Sequence, residues 1–326
     1  MRSEPIDTAS DTLSLGAQRV TDDFARLMNA CEHLPPVPTA VVHPCDEGSL
    51  TAAVEAAEAG LIEPLLIGPA RKLLDTARKA HLNISPYEFF DVPHSHAAAA
   101  KGVALVLAGE AAALMKGSLH TDELMSEVTA KLRTERRISH VFILDLPSYP
   151  RPLLISDAAI NIFPDLAAKR DIVQNAIDLA HCIGIDEPRV AILSAVETVT
   201  PKIPSTLEAA ALCKMAERGQ ITGGLLEGPL AMDNAINEEA ARTKGIDSPV
   251  AGKADILIVP DLEAGNMLAK QLTFLAGAEA AGLVLGARVP IILTSRADSV
   301  RTRRASCAIA QLYVQSRQRP ALVAAD

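Results

Sequence analysis

The residues whose types and spacing best suit chemistry lie in the segment 290–299, which reads Pro-Ile-Ile-Leu-Thr-Ser-Arg-Ala-Asp-Ser. An apolar run ends there and delivers Ser295 and Arg296 to a turn at the start of a helix. A guanidinium offers a planar fork of donors suited to a phosphate or a developing oxyanion. A helix N-terminus adds free N–H groups that also bind anions. The alternative is that Ser295 or Ser299 caps the helix while Arg296 is solvated.

A second segment, 226–235, combines backbone freedom with polar side chains. Gly228 and Pro229 stand at the end of a strand, where they let the backbone approach a ligand closely. Asp233 and Asn234 then fall in the first turns of a helix. The alternative is an ordinary loop between a strand and a helix.

Two further segments follow strands or precede helices. Asp261, followed by Gly265 and Asn266, opens a helix, and its carboxylate is a base, a metal ligand or an acid favoured by the helix dipole. Lys116 beside Gly117 suits a phosphate, with the hydroxyl of Thr121 nearby as a possible ligand group or as a helix cap.

Other chemical patterns are weak or missing. His94-Ser95-His96 has two imidazoles without a third ligand at a metal spacing, so we predict no metal site. The arginine run in the segment 301–304 (Arg301, Arg303 and Arg304) is typical of a solvated helix face. The alternative is that these arginines contact a nucleotide phosphate. The chain lacks the G-x-x-x-x-G-K-[ST], G-x-G-x-x-G and G-x-S-x-G patterns of P-loops, dinucleotide folds and α/β-hydrolases.

The elements that must position these residues alternate between strands and helices. Short apolar runs bounded by Gly or Pro, such as 39–43, 65–67 and 190–193, are each followed by a helical pattern, the longest being 166–182. This βαβ rhythm predicts an α/β protein with a parallel sheet, in which ligands collect at the carboxyl ends of strands. Ser205 with Glu208 three residues later predicts a capping box.

The composition limits the classes of function. The chain has 326 residues, of which 49% are hydrophobic and 22% charged, which indicates a large core and about two domains. A net charge of −9 and an aromatic content of 3% disfavour nucleic-acid binding. Five scattered cysteines without a C-x-x-C pair indicate a reducing compartment, and neither a signal peptide nor a membrane-spanning run is visible. We therefore expect a cytoplasmic protein that binds no membrane.

Taken together, the motifs resemble the phosphate acetyl/butyryltransferase family. The resemblance covers roughly residues 39–315 and depends on several motifs in one order, with a pattern closer to the butyryl-like branch and to the acyltransferase part of hydratase–acyltransferase fusions. The matching segments are 114–117 with Thr121, 155–161 (Ile-Ser-Asp-Ala-Ala-Ile-Asn), 190–197 (Val-Ala-Ile-Leu-Ser-Ala-Val-Glu), 228–235 (Gly-Pro-Leu-Ala-Met-Asp-Asn-Ala), 263–266 (Glu-Ala-Gly-Asn) and 295–299 (Ser-Arg-Ala-Asp-Ser).

The resemblance implies a two-domain fold like that of isocitrate/isopropylmalate dehydrogenases, with the active site in the cleft between the domains. Residues 37–148 together with 287–326 would form the first domain and 149–286 the second, after an N-terminal arm or linker of residues 1–36. The implied reaction is acyl-CoA plus phosphate giving acyl phosphate plus CoA, with a short acyl group from acetyl to butanoyl. The implied partners are CoA and phosphate as substrates and a second copy in a homodimer, and no cofactor is implied.

The same resemblance assigns roles in the site. Ser295 and Arg296 match the catalytic Ser-Arg pair of the family, while the position of the acetyl branch's catalytic Asp is occupied by Thr302, which is not a base. Asp298, or alternatively Asp233, would take the thiol proton. Lys116, Gly117, Thr121, Gly228, Pro229, Asp233, Asn234, Asp261, Gly265 and Asn266 would contact the substrates.

Two other functions remain open from the residues. A metal-dependent dehydrogenase of the same fold would need a D-x-x-x-D cluster on a helix, a spacing that Asp171 and Asp178 do not match. A catalytically silent CoA-binding or scaffold subunit is the other alternative. The intact Ser295-Arg296 pair argues against it.

Overall fold

The computed structural model describes residues 22–293 and 298–318, and these form one mixed sheet covered by helices on both faces. The strands are β1 Val37–Val42, β2 Ile62–Gly68, β3 Glu88–Asp91, β4 Ala113–Lys116, β5 Ser139–Asp145, β6 Leu153–Ser156, β7 Arg189–Leu193, β8 Leu225–Leu230, β9 Ile256–Ile258, β10 Glu279–Leu285 and β11 Ile291–Ile292. The helices are α1 Asp23–Asn29, α2 Glu47–Glu58, α3 Ala70–Lys79, α4 Ser95–Ala108, α5 Thr121–Lys131, α6 Leu166–Cys182, α7 Pro204–Glu217, α8 Met232–Ile236, α9 Glu238–Thr243, α10 Leu262–Leu275 and α11 Val300–Gln318.

The eleven strands lie in the order β3-β2-β1-β4-β11-β10-β5-β6-β9-β7-β8. The first five are parallel, as are the last four, but β10 is antiparallel to both β11 and β5, and β5 is antiparallel to β6. The predicted α/β class is confirmed, whereas the prediction of a parallel sheet is wrong at its centre. The reason is that β5–β6 and β10–β11 are joined by short loops without a crossover helix, and such loops connect antiparallel strands.

The two faces of the sheet carry different cores, because side chains alternate along each strand. One face packs against α1, α2, α6, α7 and α11 in a continuous apolar cluster. The other face carries two separate clusters, one beneath α4 and α5 and one involving α8 to α10. The second face is therefore divided in two. We call the part with strands β3, β2, β1, β4 and β11 the first half of the molecule and the part with strands β6, β9, β7 and β8 the second half.

Helix α1 is part of the core. Phe24 and Leu27 are buried, and the Cys31 thiol that follows contacts the Ala308 carbonyl oxygen of α11 at 3.5 Å. The carboxylate of Asp145, at the end of β5, accepts the N–H groups of Phe24 and Asp23 and so caps the helix. Helix α1 and Cys31 are thus packed against the body of the protein, while the predicted N-terminal arm or linker and the proposed domain boundaries stay predictions.

One local prediction at the start of α7 is wrong. Pro204 is the first residue of the helix, where its missing N–H costs nothing, and Ile203 is the N-cap in place of Ser205. The Ser205 hydroxyl lies 2.8 Å from the Ser194 hydroxyl, and Glu208 forms an ion pair with Lys169 of α6. Both side chains of the expected capping box therefore contact residues of other elements, Ser194 and Lys169, and not the backbone of α7. Within the described ranges, no helix is long and apolar enough to cross a membrane.

The packing of α1 gives a stability prediction. We expect Phe24→Ala to lower the free energy of unfolding by about 3–5 kcal/mol, because it removes a buried aromatic side chain and leaves a cavity against α11. Urea denaturation measures the change, with Leu74→Ala on the exposed side of α3 as the control. A loss below about 1 kcal/mol, as is typical of exposed positions, would show that α1 is not docked as described.

Candidate active site

Three parallel strands end side by side, and each leads into a segment singled out from the sequence. Val42 of β1 pairs with Lys116 of β4, and Met115 of β4 pairs with Ile292 of β11. His43 follows β1, Gly117 follows β4, and Leu293 leads from β11 into residues 294–299. The carboxyl ends of these strands therefore lie at one edge of the sheet, with Lys116 and Gly117 among the residues there.

The loop after β4 lies directly on the end of β1. Gly117 N–H donates to the Val42 carbonyl at 2.9 Å, and Ser118 N–H donates to the His43 carbonyl at 2.9 Å. A Cβ on residue 117 would stand 2.5 Å from both carbonyl oxygens, which no real side chain tolerates. The described geometry thus requires glycine at 117 for the close approach of two backbones.

His43 and Ser118 form a compact polar pair at this edge. The Ser118 hydroxyl donates to the His43 carbonyl at 2.8 Å, accepts the Cys45 N–H at 3.2 Å and lies 3.1 Å from Nδ1 of His43. His43 is half-buried and has a left-handed backbone, with φ of 56°. No local sequence pattern marks His43, because its partner is 75 positions away in the chain.

Lys116 and the start of α5 complete this edge. The Lys116 ammonium donates to the carbonyl oxygens of Gly117 at 3.1 Å and Leu119 at 3.2 Å, which holds it over the loop. Thr121 is the first residue of α5 and is exposed, and His120 is the N-cap in its place. Lys116 and Gly117 therefore lie at the end of β4, and the exposed Thr121 lies at the rim of this edge; their role in substrate binding stays a prediction.

The two histidines of the 94–96 segment contact the start of a helix and a carboxylate. His94 Nδ1 accepts the Ala97 N–H at 3.2 Å and caps α4. Glu123 of α5 contacts His96 at 3.3 Å and accepts a hydrogen bond from the Ser95 hydroxyl, which lowers the pKa of Glu123. Across residues 22–293 and 298–318, no group of three or more His, Cys, Asp or Glu side chains is arranged to hold a metal ion.

Ser295 and Arg296 lie outside the described residues, and Asp298 is the next residue that the structure describes. Ser299 is the helix cap: its hydroxyl accepts the Thr302 N–H at 3.1 Å. The capping role that was the alternative for this segment is thus filled by Ser299. Thr302 is buried and its hydroxyl accepts a hydrogen bond from Ser299, so it is held inside the first turn of α11.

The arginines of α11 are anchored at the same edge. Arg301 forms ion pairs with Asp22, with Asp145 at 3.4 Å and with Glu279 at 2.8 Å. Arg303 donates to the Gly48 carbonyl at the start of α2. Arg301 is 47% exposed, so it lies on a solvated part of the helix while it pairs with the acidic ends of β5 and β10. Arg303 is half-buried against the start of α2, so the prediction of a solvated helix face is wrong for Arg303.

In the second half, Gly228 and Asn234 are fixed by packing. A Cβ on residue 228 would stand 2.7 Å from Cβ of Ile192, so glycine permits the contact between β8 and β7. Pro229 is buried after it, and the bond between them is cis. Asn234 is fully buried, and its Nδ2 donates to Glu197 at 3.4 Å. Its Oδ1 has no partner among the described residues, which leaves a buried acceptor for a ligand or a water.

Asp233 is more exposed than its neighbour. Its carboxylate lies 3.5 Å from the Lys244 ammonium, which also contacts Glu197 at 3.0 Å. The ion pair shows that Asp233 has a cationic partner within its own half. This arrangement does not test the predicted role of Asp233 as a base.

The segment 261–266 packs against the loop after β6. The Asp261 carboxylate accepts the Ala264 N–H at 2.9 Å and caps α10, which is the simplest of its three predicted roles. A Cβ on Gly265 would stand 3.0 Å from Cβ of Ala158, and Asn266 Nδ2 donates to the Ala158 carbonyl at 3.1 Å. All three residues thus position the loop at Asp157, whose buried carboxylate accepts backbone N–H groups of residues 159–161.

Comparison with known proteins agrees with these motifs. A family model described as phosphate acetyl/butaryl transferase matches residues 93–311. A phosphate acetyltransferase of Rhizobium meliloti is 69% identical over 305 residues, which is 93% of this chain and 96% of the relative. A phosphate butyryltransferase of Clostridium beijerinckii is 40% identical over 296 residues, covering 90% of this chain and 98% of the relative.

Solved structures are similar over most of the chain. A branched-chain phosphotransacylase from Enterococcus faecalis V583 has a TM-score of 0.73 at 30% identity, covering 85% of this chain and 99% of that chain. A 4-hydroxythreonine-4-phosphate dehydrogenase from Klebsiella pneumoniae has a TM-score of 0.52 at 12% identity, over 86% of this chain and 100% of that chain, and shows the fold alone.

The α/β fold and these matches define an acyltransferase that uses phosphate as the acceptor. The chain belongs to the phosphate acetyl/butyryltransferase family. The resemblance inferred from the motifs is confirmed, and the dehydrogenase and silent-scaffold alternatives are set aside.

The close approach at Gly117 gives a testable prediction. We expect Gly117→Ala to lower kcat/KM by about 10²-fold, because the methyl group would push the 116–121 loop off the end of β1 by roughly an ångström. Gly109→Ala is the matched control: its Cβ would meet nothing within 4 Å, and its left-handed φ of 78° costs only about 1–2 kcal/mol of stability. Steady-state kinetics with unchanged rates in Gly117→Ala would contradict the role of this contact.

Proposed function

We propose that this phosphate acyltransferase acts on acetyl-CoA, forming acetyl phosphate and CoA. The observation that carries the choice of acyl group is the 69% identity to the Rhizobium meliloti phosphate acetyltransferase, against 40% to the Clostridium beijerinckii phosphate butyryltransferase. Both identities extend over at least 90% of this chain. Both alignments therefore extend over the strand ends of the whole sheet.

We propose that the acyl transfer takes place in a cleft between two domains of the isocitrate/isopropylmalate dehydrogenase-like fold. Neighbouring strands rotate by about 20–25°, so the six steps from β11 to β8 accumulate roughly 120–150°. Because the two parallel groups run in opposite directions, this rotation would leave the carboxyl ends of β7, β8 and β9 pointing within roughly 30–60° of the direction of those of β1, β4 and β11. The divided core on one face of the sheet supports the same cleft.

Within this site, Arg296 would bind phosphate and offset the negative charge that develops on the thioester oxygen. Ser295 would donate a hydrogen bond to the same centre, and Lys116 supports the anion from the adjacent strand end. One well-placed oxyanion donor contributes about 3–4 kcal/mol, or roughly 10²–10³ in rate. Positioning of both substrates supplies the rest, so the proposal needs no metal or redox cofactor.

The remaining predicted contacts belong to the second half. Asn234 offers a buried acceptor, and Gly228 and Pro229 hold the neighbouring backbone in place. We propose that this half receives CoA. A cytoplasmic location is supported by the cysteines, since all five lie among the described residues and are free thiols.

We also propose a homodimer through the exposed face of α10. Met267, Phe274 and Leu275 recur at helical spacing and are 59%, 78% and 83% exposed. Ile162 and Phe163 continue the surface, since the Ile162 carbonyl accepts the Leu262 N–H at the start of α10. A contiguous apolar surface of this kind is typical of a protein interface, and a two-fold axis would let one copy cover the other.

The acyl preference and the catalytic pair are tested together by CoA release. We expect the wild-type protein to use acetyl-CoA with a higher kcat/KM than propanoyl-CoA or butanoyl-CoA. Ser295→Ala and Arg296→Gln should each lower kcat with acetyl-CoA by about 10²–10³-fold. Equal rates across the three thioesters would remove the acetyl assignment, and near wild-type rates in both variants would remove the catalytic pair.

The homodimer is tested by light scattering on the purified protein. We expect the wild-type mass to be twice that of one chain and Phe274→Asp to shift it to one chain, because a charge cannot be buried unpaired at the interface. Phe89→Asp, on an exposed side chain of β3, is the control. A dimer that survives Phe274→Asp would place the interface elsewhere.

A further inference from the structure

The acyl transfer needs a base for the CoA thiol. In the direction from acyl phosphate to acyl-CoA, the thiol must lose its proton before sulfur attacks the carbonyl. The position expected for an acid holds Thr302, whose hydroxyl is engaged with Ser299. Among the described residues at the carboxyl ends of β1 and β4, His43 offers a ring nitrogen that can carry a lone pair.

The hydrogen bonds around Ser118 determine which nitrogen of His43 carries the proton. The Ser118 hydroxyl has one proton, and it is donated to the His43 carbonyl at 2.8 Å. The same oxygen accepts the Cys45 N–H at 3.2 Å. Nδ1 of His43, at 3.1 Å, must therefore donate to Ser118, which places the lone pair of the neutral ring on Nε2.

The environment keeps the ring neutral. Burial lowers the pKa of His43 from its ordinary value of 6.5, and the Lys72 ammonium of α3 acts in the same sense. The carboxylates of Glu123 on α5 and Asp46 at the start of α2 raise the pKa of His43, as does a hydrogen bond to its own backbone, but burial is the largest effect and the pKa stays lowered. The unprotonated ring is thus the main form at neutral pH, as a general base requires.

Neighbouring groups are less suited to the task. Burial raises the pKa of the Cys45 thiol to about 11, so it stays protonated. Glu123 is a weak base, because the hydrogen bond from Ser95 lowers its pKa. Lys116 is a cation whose N–H groups are directed at loop carbonyls.

The position of His43 also suits the reaction. It directly follows β1, whose neighbour β4 pairs in parallel with β11, the strand that leads into residues 294–299. Arg303, in the first turn of α11, donates to the Gly48 carbonyl five residues after His43. The turn that carries His43 therefore borders the start of the helix that follows the catalytic segment.

We infer that His43 is the general base of the acyl transfer, with Nε2 accepting the CoA thiol proton and Ser118 as the positioning residue that fixes its tautomer. As the proton moves to Nε2, sulfur forms its bond to the acyl carbon, and the bond from that carbon to the phosphate oxygen breaks. In the opposite direction, phosphate attacks, the carbon–sulfur bond breaks, and the imidazolium returns the proton to the thiolate. This assignment rests on the acyl transfer proposed above and replaces Asp298 and Asp233 as the base.

The variant that tests the inference is His43→Asn. Asparagine tolerates the left-handed backbone of residue 43, and its amide can donate to Ser118 in place of Nδ1, but it has no basic nitrogen. We expect kcat for acyl-CoA formation to fall by about 10²–10⁴-fold with little change in the KM for CoA. His81→Asn is the matched control, because His81 is exposed and has the same left-handed backbone, with φ of 55°.

The pH profile separates a base from a structural residue. In the wild-type protein, kcat/KM for acyl-CoA formation should fall on the acid side below 6.5, as Nε2 becomes protonated. This limb should be missing from His43→Asn and retained in His81→Asn. A His43→Asn protein that keeps its rate, or keeps the acid limb, overturns the inference.

A second measurement needs no variant and covers the case of a His43→Asn protein that does not fold. Diethyl pyrocarbonate acylates the free nitrogen of neutral imidazoles. We expect peptide mass spectrometry to show modification of His43 in step with loss of activity, and CoA to protect both. Full activity after modification of His43 would overturn the inference, whereas a wild-type protein without acyl transfer would contradict the parent function instead.

Discussion

The antiparallel pairing of β5 with β10 is the contact on which the rest of the structure depends. It joins seven residue pairs, from Glu279 with Asp145 to Leu285 with Ser139, and unites two parallel groups of strands in one sheet. Together with the antiparallel pairings of β10 with β11 and of β5 with β6, it makes the two groups run in opposite directions, so each group has its own row of carboxyl ends. The same pairing also places Asp145 and Glu279 together, where Arg301 binds both and fixes the first turn of α11.

The site of the first half follows from this arrangement. α11 begins beside the ends of β1 and β4, since Arg303 contacts the start of α2 and Ser299 caps the helix. The loop after β4 can join them only because residue 117 has no side chain. His43 and Ser118 then share one hydrogen-bond pattern, so the tautomer of the histidine is a property of the fold and not of the histidine alone.

Much of the fold could be predicted from the sequence because apolar runs and their Gly or Pro boundaries are local signals. The helix 166–182 begins and ends where its periodicity does. The mixed direction of the sheet was missed because the β5–β6 loop, rich in proline, carries no signal for an antiparallel return. The capping box at Ser205 failed because its partners Ser194 and Lys169 come from other elements.

The candidate site was predicted in part for a similar reason. Gly117 and Lys116 were identified by type, but the backbone contact that requires glycine at 117 involves a strand about 75 residues earlier in the chain, a separation that local pattern does not span. Asp261, Gly265 and Asn266 were identified as polar or flexible residues at a helix start, yet they hold the loop near Asp157. His43 had no signal at all.

The two outer strands of the sheet affect how copies of the chain can associate. β3 has four residues with Glu88 and Asp91 at its ends, and β8 contains Pro229, which has no N–H to donate. Short, acidic or proline-bearing edges are poor templates for another strand. The sheet is thus protected against growing from one molecule into the next, which disfavours fibrous aggregation and leaves helical surfaces as the route to a closed assembly.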